Sequence, residues 1–255
     1  IFEFLHRFFC YVIMLGMNEK DLISIGEAAE ILGVSIDTLR RWDKSGRFHA
    51  EKSEGGHRLY SKAKVGIYLK DIFVLAKDWC VNETEIPEMF YCQNSGVFQA
   101  RIKRMYDEIA TVPALAHVSS LVLAVTGEIG NNSFDHNIGN WPDVPGIFFG
   151  YDISRRQIVL ADRGIGVLAS LKRVRPSLNT DEAALSVAFM EILSGRAPEE
   201  RGNGLKFVKK VITENPIGLV FQSGNTEVLL HKDDGILNMK ATKNIIRGCL
   251  AYITF

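Results

Sequence analysis

Three short groups of residues in the second half of the 255-residue chain have the types and spacing to hold an anionic ligand. Glu128, Asn132 and His136 recur at every fourth position, which puts a carboxylate, an amide and an imidazole on one helical face. That spacing is common on helices and by itself assigns nothing. Asp162-Arg163-Gly164-Ile165-Gly166 follows an apolar run, and two glycines directly after a strand let the backbone approach a flat or charged ligand. Arg201-Gly202-Asn203-Gly204-Leu205 precedes an apolar, Lys-bearing segment. A glycine turn that opens a helix offers free N–H groups and the positive end of the helix dipole to a phosphate. The G-x-x-x-x-G-K-[ST] spacing of a Walker loop is absent.

A second chemistry lies nearer the N-terminus. The chain has no net charge, 30 Lys and Arg against 30 Asp and Glu, yet residues 38 to 64 carry eight positive and three negative side chains. The neutrality is an average over unlike parts: residues 20 to 70 sum to +3, residues 112 to 255 to +1, and the remainder to −4. Thr38, Arg40, Arg41 and Lys44 can face outward while Leu39 and Trp42 pack. An exposed helix bearing Arg can enter a major groove, and His57 and Arg58 on a neighbouring turn can reach phosphates that set its register.

These residues need particular elements to position them. Ser24 and Glu27 have the S-x-x-E spacing of a capping box, so a helix begins near Ile25 with Ala28, Ala29, Ile31 and Leu32 on its apolar face and Gly33 as a left-handed C-cap. Ser35 caps a second helix through Ile36, Leu39 and Trp42. Residues 54 to 60 read as a Gly-Gly turn between two short strands, a wing. Residues 65 to 80 look helical. Phe98, Ile102, Met105, Tyr106 and Ile109 form an amphipathic helix whose stripe fits either core packing or a dimer seam. A longer helix from Ala114 to Phe134 carries Glu128 and Asn132, and Gly146–Asp152 and Gln157–Asp162 are adjacent strands joined at Ser154-Arg155-Arg156.

The stretch IGEAAEILGVSIDTLRRWDKSGRF followed by EGGHRLY resembles the MerR-type winged helix-turn-helix. That resemblance implies double-stranded DNA as partner, with Thr38, Arg40, Arg41, His57, Arg58 and Tyr60 as the DNA-facing set. Metal sensing is not expected, because no Cys cluster follows the module. The order of the three later boxes, ending in Gly248-Cys249-Leu250-Ala251-Tyr252-Ile253-Thr254-Phe255, resembles the GHKL ATP-binding fold of histidine kinases, anti-sigma serine kinases, gyrase and Hsp90. It implies ATP and Mg²⁺ as cofactors, Asn132 as metal ligand, Glu128 as the base that activates water, and Asp162 as acceptor of the adenine amino group. Gly164 and Gly166 would shape the nucleotide floor, while Gly202, Gly204 and Leu205 would close over phosphate. The segment between Gly166 and Gly202, with Lys172, Arg173, Arg175 and Arg196, corresponds to the family's mobile lid. One departure is Gly248-Cys249, where the family often has Gly-Thr beside the adenine.

The expected fold class is therefore α+β: a winged helix-turn-helix over 17–70, a helical connector over 71–111, and over 112–255 a GHKL-type α/β sandwich with a mixed sheet covered by helices. Residues 1–16 are mostly apolar but carry Glu3, His6 and Arg7, too short and too charged for a bilayer span. They read as a non-native or disordered leader before Met17, with a membrane-surface or partner-binding helix as the alternative. Cys10, Cys80, Cys92 and Cys249 form no C-x-x-C pair, which fits free thiols in the cytoplasm. Three functions fit: a DNA-binding regulator modulated by ATP binding or slow hydrolysis, a serine kinase or partner-switch protein brought to DNA, and a non-catalytic DNA-binding structural protein. A homodimer and a protein phosphoacceptor are compatible with the sequence.

Overall fold

The capping signals act as written. The Ser24 N–H donates to Glu27 Oε2 at 2.9 Å and the Glu27 N–H to Ser24 Oγ at 3.2 Å, so two otherwise free donors are satisfied reciprocally. At the second helix the Thr38 N–H donates to Ser35 Oγ at 3.1 Å. The computed structural model describes residues 21–32, 35–44, 46, 48–69, 71–83, 86, 88–191 and 204–255. Residues 1–16 and the proposed cap Gly33 lie outside that set. The chain forms two units, one of residues 1–71 with 87–89 and one of residues 72–86 with 90–255.

The first unit contains β1 (Leu22–Ser24), α1 (Ile25–Leu32), α2 (Ile36–Lys44), β2 (Glu51–Lys52), β3 (Arg58–Ser61) and α3 (Lys62–Leu69), with an antiparallel sheet in the order β1-β3-β2. The turn between β2 and β3 is the expected wing, with Gly56 at a φ of 77° that a side chain would strain. A small core joins Ala28, Ala29, Leu39, Phe48, Tyr60 and Val65. Phe48 and Tyr60 stack with centroids 5.4 Å apart.

The second unit contains α4 (Ile72–Asn82), β4 (Tyr91–Cys92), α5 (Ser95–Ala110), α6 (Ser119–Asn137), β5 (Ile147–Asp152), β6 (Gln157–Asp162), α7 (Gly166–Lys172), α8 (Asp181–Met190), α9 (Gly204–Glu214), β7 (Gly218–Leu230) and β8 (Asn238–Thr254). Its sheet runs β4-β5-β6-β8-β7, with every neighbouring pair antiparallel. The expected mixed sheet is thus corrected: hairpins join β5 to β6 and β7 to β8, and β8 also runs against β6, leaving none of these pairs to the crossover that parallel neighbours need.

Side chains alternate across this sheet. Ile158, Leu160, Ala251 and Ile253 enter the main core with Phe98 and Met105 of α5, Val125 and Ile129 of α6, and Val208 and Ile212 of α9. The stripe at 98–109 is therefore core packing rather than a dimer seam. On β8, the intervening Tyr252 meets Phe73 of α4 edge-on, with centroids 5.3 Å apart. The helical run at 65–80 is two helices, ending at Leu69 and restarting at Ile72, and the second belongs with the sheet. Residues 113–118 form turns, so α6 starts at Ser119 and His117 precedes it. Part of the segment expected as a lid is core: Ala184, Leu185, Val187 and Phe189 of α8 are buried, and Phe189 packs edge-on against Phe221.

Candidate functional site

One helix, α6, brings the three boxes of the second unit together. Glu128 and Asn132 face Gly204, the first residue of α9: a Cβ there would stand 2.7 Å from Glu128 Oε2 and 2.9 Å from Asn132 Nδ2. A side chain at 204 would have to push both groups aside. Glu128 and Asn132 are half-buried, and neither has a hydrogen-bond or ion-pair partner among the described residues. Leu205 packs against the main core and anchors the start of α9. Gly202 lies outside the described residues.

The next turn of α6 holds the second box. Ser133 Oγ donates to Asp162 Oδ2 at 2.7 Å, and Asn137 Oδ1 accepts the Ile165 N–H at 2.9 Å. A Cβ at Gly164 would collide with the Asn137 amide. Gly166 has a φ of 77° and packs against the Arg247 carbonyl, so the turn into α7 admits no side chain. Asp162 is 1% exposed. Its carboxylate also accepts the Gly164 N–H at 2.9 Å. Burial pushes the carboxyl above its usual range, and the Ser133 and Gly164 bonds only partly oppose it; β8 packs closely against it. Gly248 allows this approach, since a Cβ there would collide with Asp162 itself.

The remaining polar groups brace the turn. Arg163 pairs with Asp143 and lies over the Trp79 ring, 5.7 Å from its centroid; Arg247 reaches the same Asp143 at 2.6 Å. His136 Nδ1 lies 3.1 Å from Ser170 Oγ, which ties α6 to α7 and gives this histidine a structural role. Arg175 pairs with Glu191 at 2.6 Å, while Lys172 and Arg173 are exposed. Ser133 and Asn137 are site residues that spacing alone did not single out; their signal was adjacency to Asn132 and an i, i+4 relation on the same helix.

The donors present fit a magnesium nucleotide at the phosphate end. A carboxylate and an amide without partners among the described residues stand beside the start of a three-turn helix, in a cradle that a side chain at position 204 would fill. At the other end, Asp162 offers an acceptor enclosed by its own protein donors.

In the first unit, α2 presents Arg40, Arg41 and Lys44 to solvent. Arg40 pairs with Asp37 at 2.9 Å, and Arg41 Nη2 donates to Thr38 Oγ1 at 3.2 Å. These exposed bonds are weak and can exchange for phosphate contacts. On the wing, His57 is exposed, and Arg58 Nε donates to Asp43 at 2.6 Å. Tyr60 is corrected from the DNA-facing set: its ring is 0% exposed and its hydroxyl points to the Leu39 carbonyl, so it packs the wing onto α2 and cannot reach a phosphate.

Residues 24–60 match the family described as MerR family regulatory protein, so this segment is a MerR-type helix-turn-helix domain. Over 73 residues the chain is 36% identical to the type II methyltransferase M.Eco47II of Escherichia coli, a match that covers 28% of this chain and only 17% of that enzyme. No helix of the described residues is long and apolar enough to cross a membrane.

Proposed function

We propose that the chain is a DNA-binding regulator in which a GHKL-type second unit binds Mg-ATP and thereby changes the DNA affinity of the MerR-type domain. The observation that carries the nucleotide reading is the placement along α6: Glu128 and Asn132 at the glycine that opens α9, and Ser133 one residue on at Asp162. In this reading the free N–H groups of α9 and the Asn132 amide bind the charged end of the ligand, and Asp162 orients its base. Bound Mg-ATP supplies a transferable phosphoryl group and a cation that screens it. Glu128, with no partner among the described residues, stands where it can accept a proton from water. For the first unit, Arg40 and Arg41 enter a major groove while His57 and Arg58 hold the backbone.

Calorimetry with Mg-ATP tests the nucleotide half. The wild-type chain binds, while Asp162→Asn and Asn132→Ala abolish binding without loss of fold. No heat of binding to the wild type contradicts the proposal. Unchanged phosphate release by Glu128→Ala removes that residue from the base role.

A further inference from the structure

The turn from Asp162 to Gly166 holds the ligand in the function proposed above, on which this inference rests, and one helix grips it from outside. The end of α4 touches the turn three times. Cys80 Sγ donates to the Asp162 carbonyl at 3.7 Å, the Trp79 ring faces the Arg163 guanidinium at 5.7 Å, and Glu83, the residue after the helix, stands 3.3 Å from Arg163 Nη2. Trp79 and Arg163 are both buried, and a buried guanidinium is stable only with partners. Those partners are shared. Arg163 Nη2 meets both Glu83 and Asp143, Asp143 also takes Arg247, and the buried Arg163 Nε has no partner among the described residues. One nitrogen serves two carboxylates while another is idle, so a small rotation of the turn redistributes these bonds without dispersing the cluster. A ligand that favours one pairing over another biases such a cluster. Arg163 lies between Asp162 and Gly164, so a ligand seated on the turn acts on it directly. The other end of α4 leads away from the site. Ile72, its first residue, comes three positions after Leu69, the last residue of α3 in the MerR-type unit. Between its ends α4 is held along the sheet by Phe73 against Tyr252 and by the buried Leu75 and Ala76.

We propose that α4 is the element through which nucleotide regulates DNA binding: a ligand on the Asp162–Gly166 turn shifts Arg163 against Trp79 and Glu83, and α4 passes that change to the chain junction at its start. Trp79 and Glu83 are positioning residues in this scheme. They touch neither nucleotide nor DNA, so their loss separates the two binding events without abolishing either. The warrant is physical: one helix whose state both ends can bias.

Three measurements on the whole chain test this: calorimetry with Mg-ATP, a mobility shift on genomic fragments with and without Mg-ATP, and amide hydrogen exchange of residues 72–82 in both states. In the wild type, Mg-ATP should change exchange in α4 and move the duplex midpoint about fivefold or more, a usual size for coupling between sites. Trp79→Leu and Glu83→Gln should still bind Mg-ATP, and should bind duplex as the wild type does without nucleotide. The Mg-ATP-dependent shift should fall below about twofold in Trp79→Leu and shrink in Glu83→Gln, whereas Trp79→Phe, which keeps a ring face for the guanidinium, should retain it. Should Trp79→Leu fail to fold, the exposed Glu83→Gln decides alone. A wild-type shift in both variants, an equal loss in Trp79→Phe, or a loss of Mg-ATP affinity in step with the loss of the shift overturns the inference. So does a wild type that binds Mg-ATP with no change in α4 exchange or in the midpoint; nucleotide binding then stands and α4 carries nothing. No heat of Mg-ATP binding to the wild type overturns the nucleotide reading and this inference with it.

Discussion

Asp43 in the helix-turn-helix unit and Asp162 in the second unit are both enclosed carboxylates with several donors, and their environments push them in opposite directions. Burial would raise Asp43, but Arg58, the Ala50 N–H and His49 outweigh it and hold the carboxyl below its usual range. Asp162 has only neutral donors, and burial wins. The difference lies in the partner's charge, because a guanidinium offsets desolvation far better than hydroxyl, amide or thiol donors do. The first unit uses its carboxylate to brace a wing against α2. The second keeps a carboxylate where its ionisation costs stability, an arrangement more often retained for binding than for folding.

The largest effect that would sharpen this contrast is expected from Gly204→Val. Its side chain would fill the cradle between Glu128 and Asn132, so Mg-ATP affinity should fall on the order of 100-fold, the loss of one or two charge-assisted contacts. Duplex binding measured without nucleotide should be unchanged. Equal losses in both assays would break the separation of the two sites.

Arg40→Ala combined with Arg58→Ala comes next. Duplex affinity in a mobility shift should drop about tenfold and its salt dependence should flatten by roughly one phosphate contact, that of Arg58. Nucleotide affinity should hold. An undiminished shift removes both arginines from the DNA face.

Ser24→Ala removes half of the capping box and should cost about 1 kcal/mol in the melting of the first unit, read by calorimetry. No change there would show that the cap contributes only to helix start position. The smallest effects concern pH. A depressed carboxyl contributes stability above its unfolded value near 4, lost as pH falls through the folded value; a raised one contributes below that value and loses its contribution as pH rises through the folded value. Asp43→Asn should therefore weaken the acid-side loss of stability, and Asp162→Asn should remove a loss on the alkaline side. Melting temperatures of the two variants that shift in parallel with pH would contradict the contrast.

Features set by local spacing were legible before any coordinates. The S-x-x-E box, the Ser35 cap, the β5–β6 hairpin and the glycine that opens α9 each depend on residues a few positions apart. Features set by distant partners were not. Nothing near Tyr60 in sequence says that Phe48 and the Leu39 carbonyl enclose it, so a wing tyrosine read as DNA-facing. The pairing of Arg58 with Asp43 spans fifteen positions. The segment after Gly166 read as a lid from its place between the second and third boxes, while the apolar Leu185, Val187 and Phe189 of α8 pack against distant elements. The enclosure of Asp162 depends on Gly248, which β8 brings back beside the end of β6.

The central claim is that nucleotide occupancy of the second unit changes what the first unit does on DNA. A mobility shift on genomic fragments, titrated with the wild-type chain in the presence and absence of Mg-ATP, tests it most directly. The midpoint should move with Mg-ATP for the wild type and stay fixed for Asp162→Asn. A wild-type midpoint that is the same with saturating Mg-ATP as without it would show that nucleotide does not act on DNA binding.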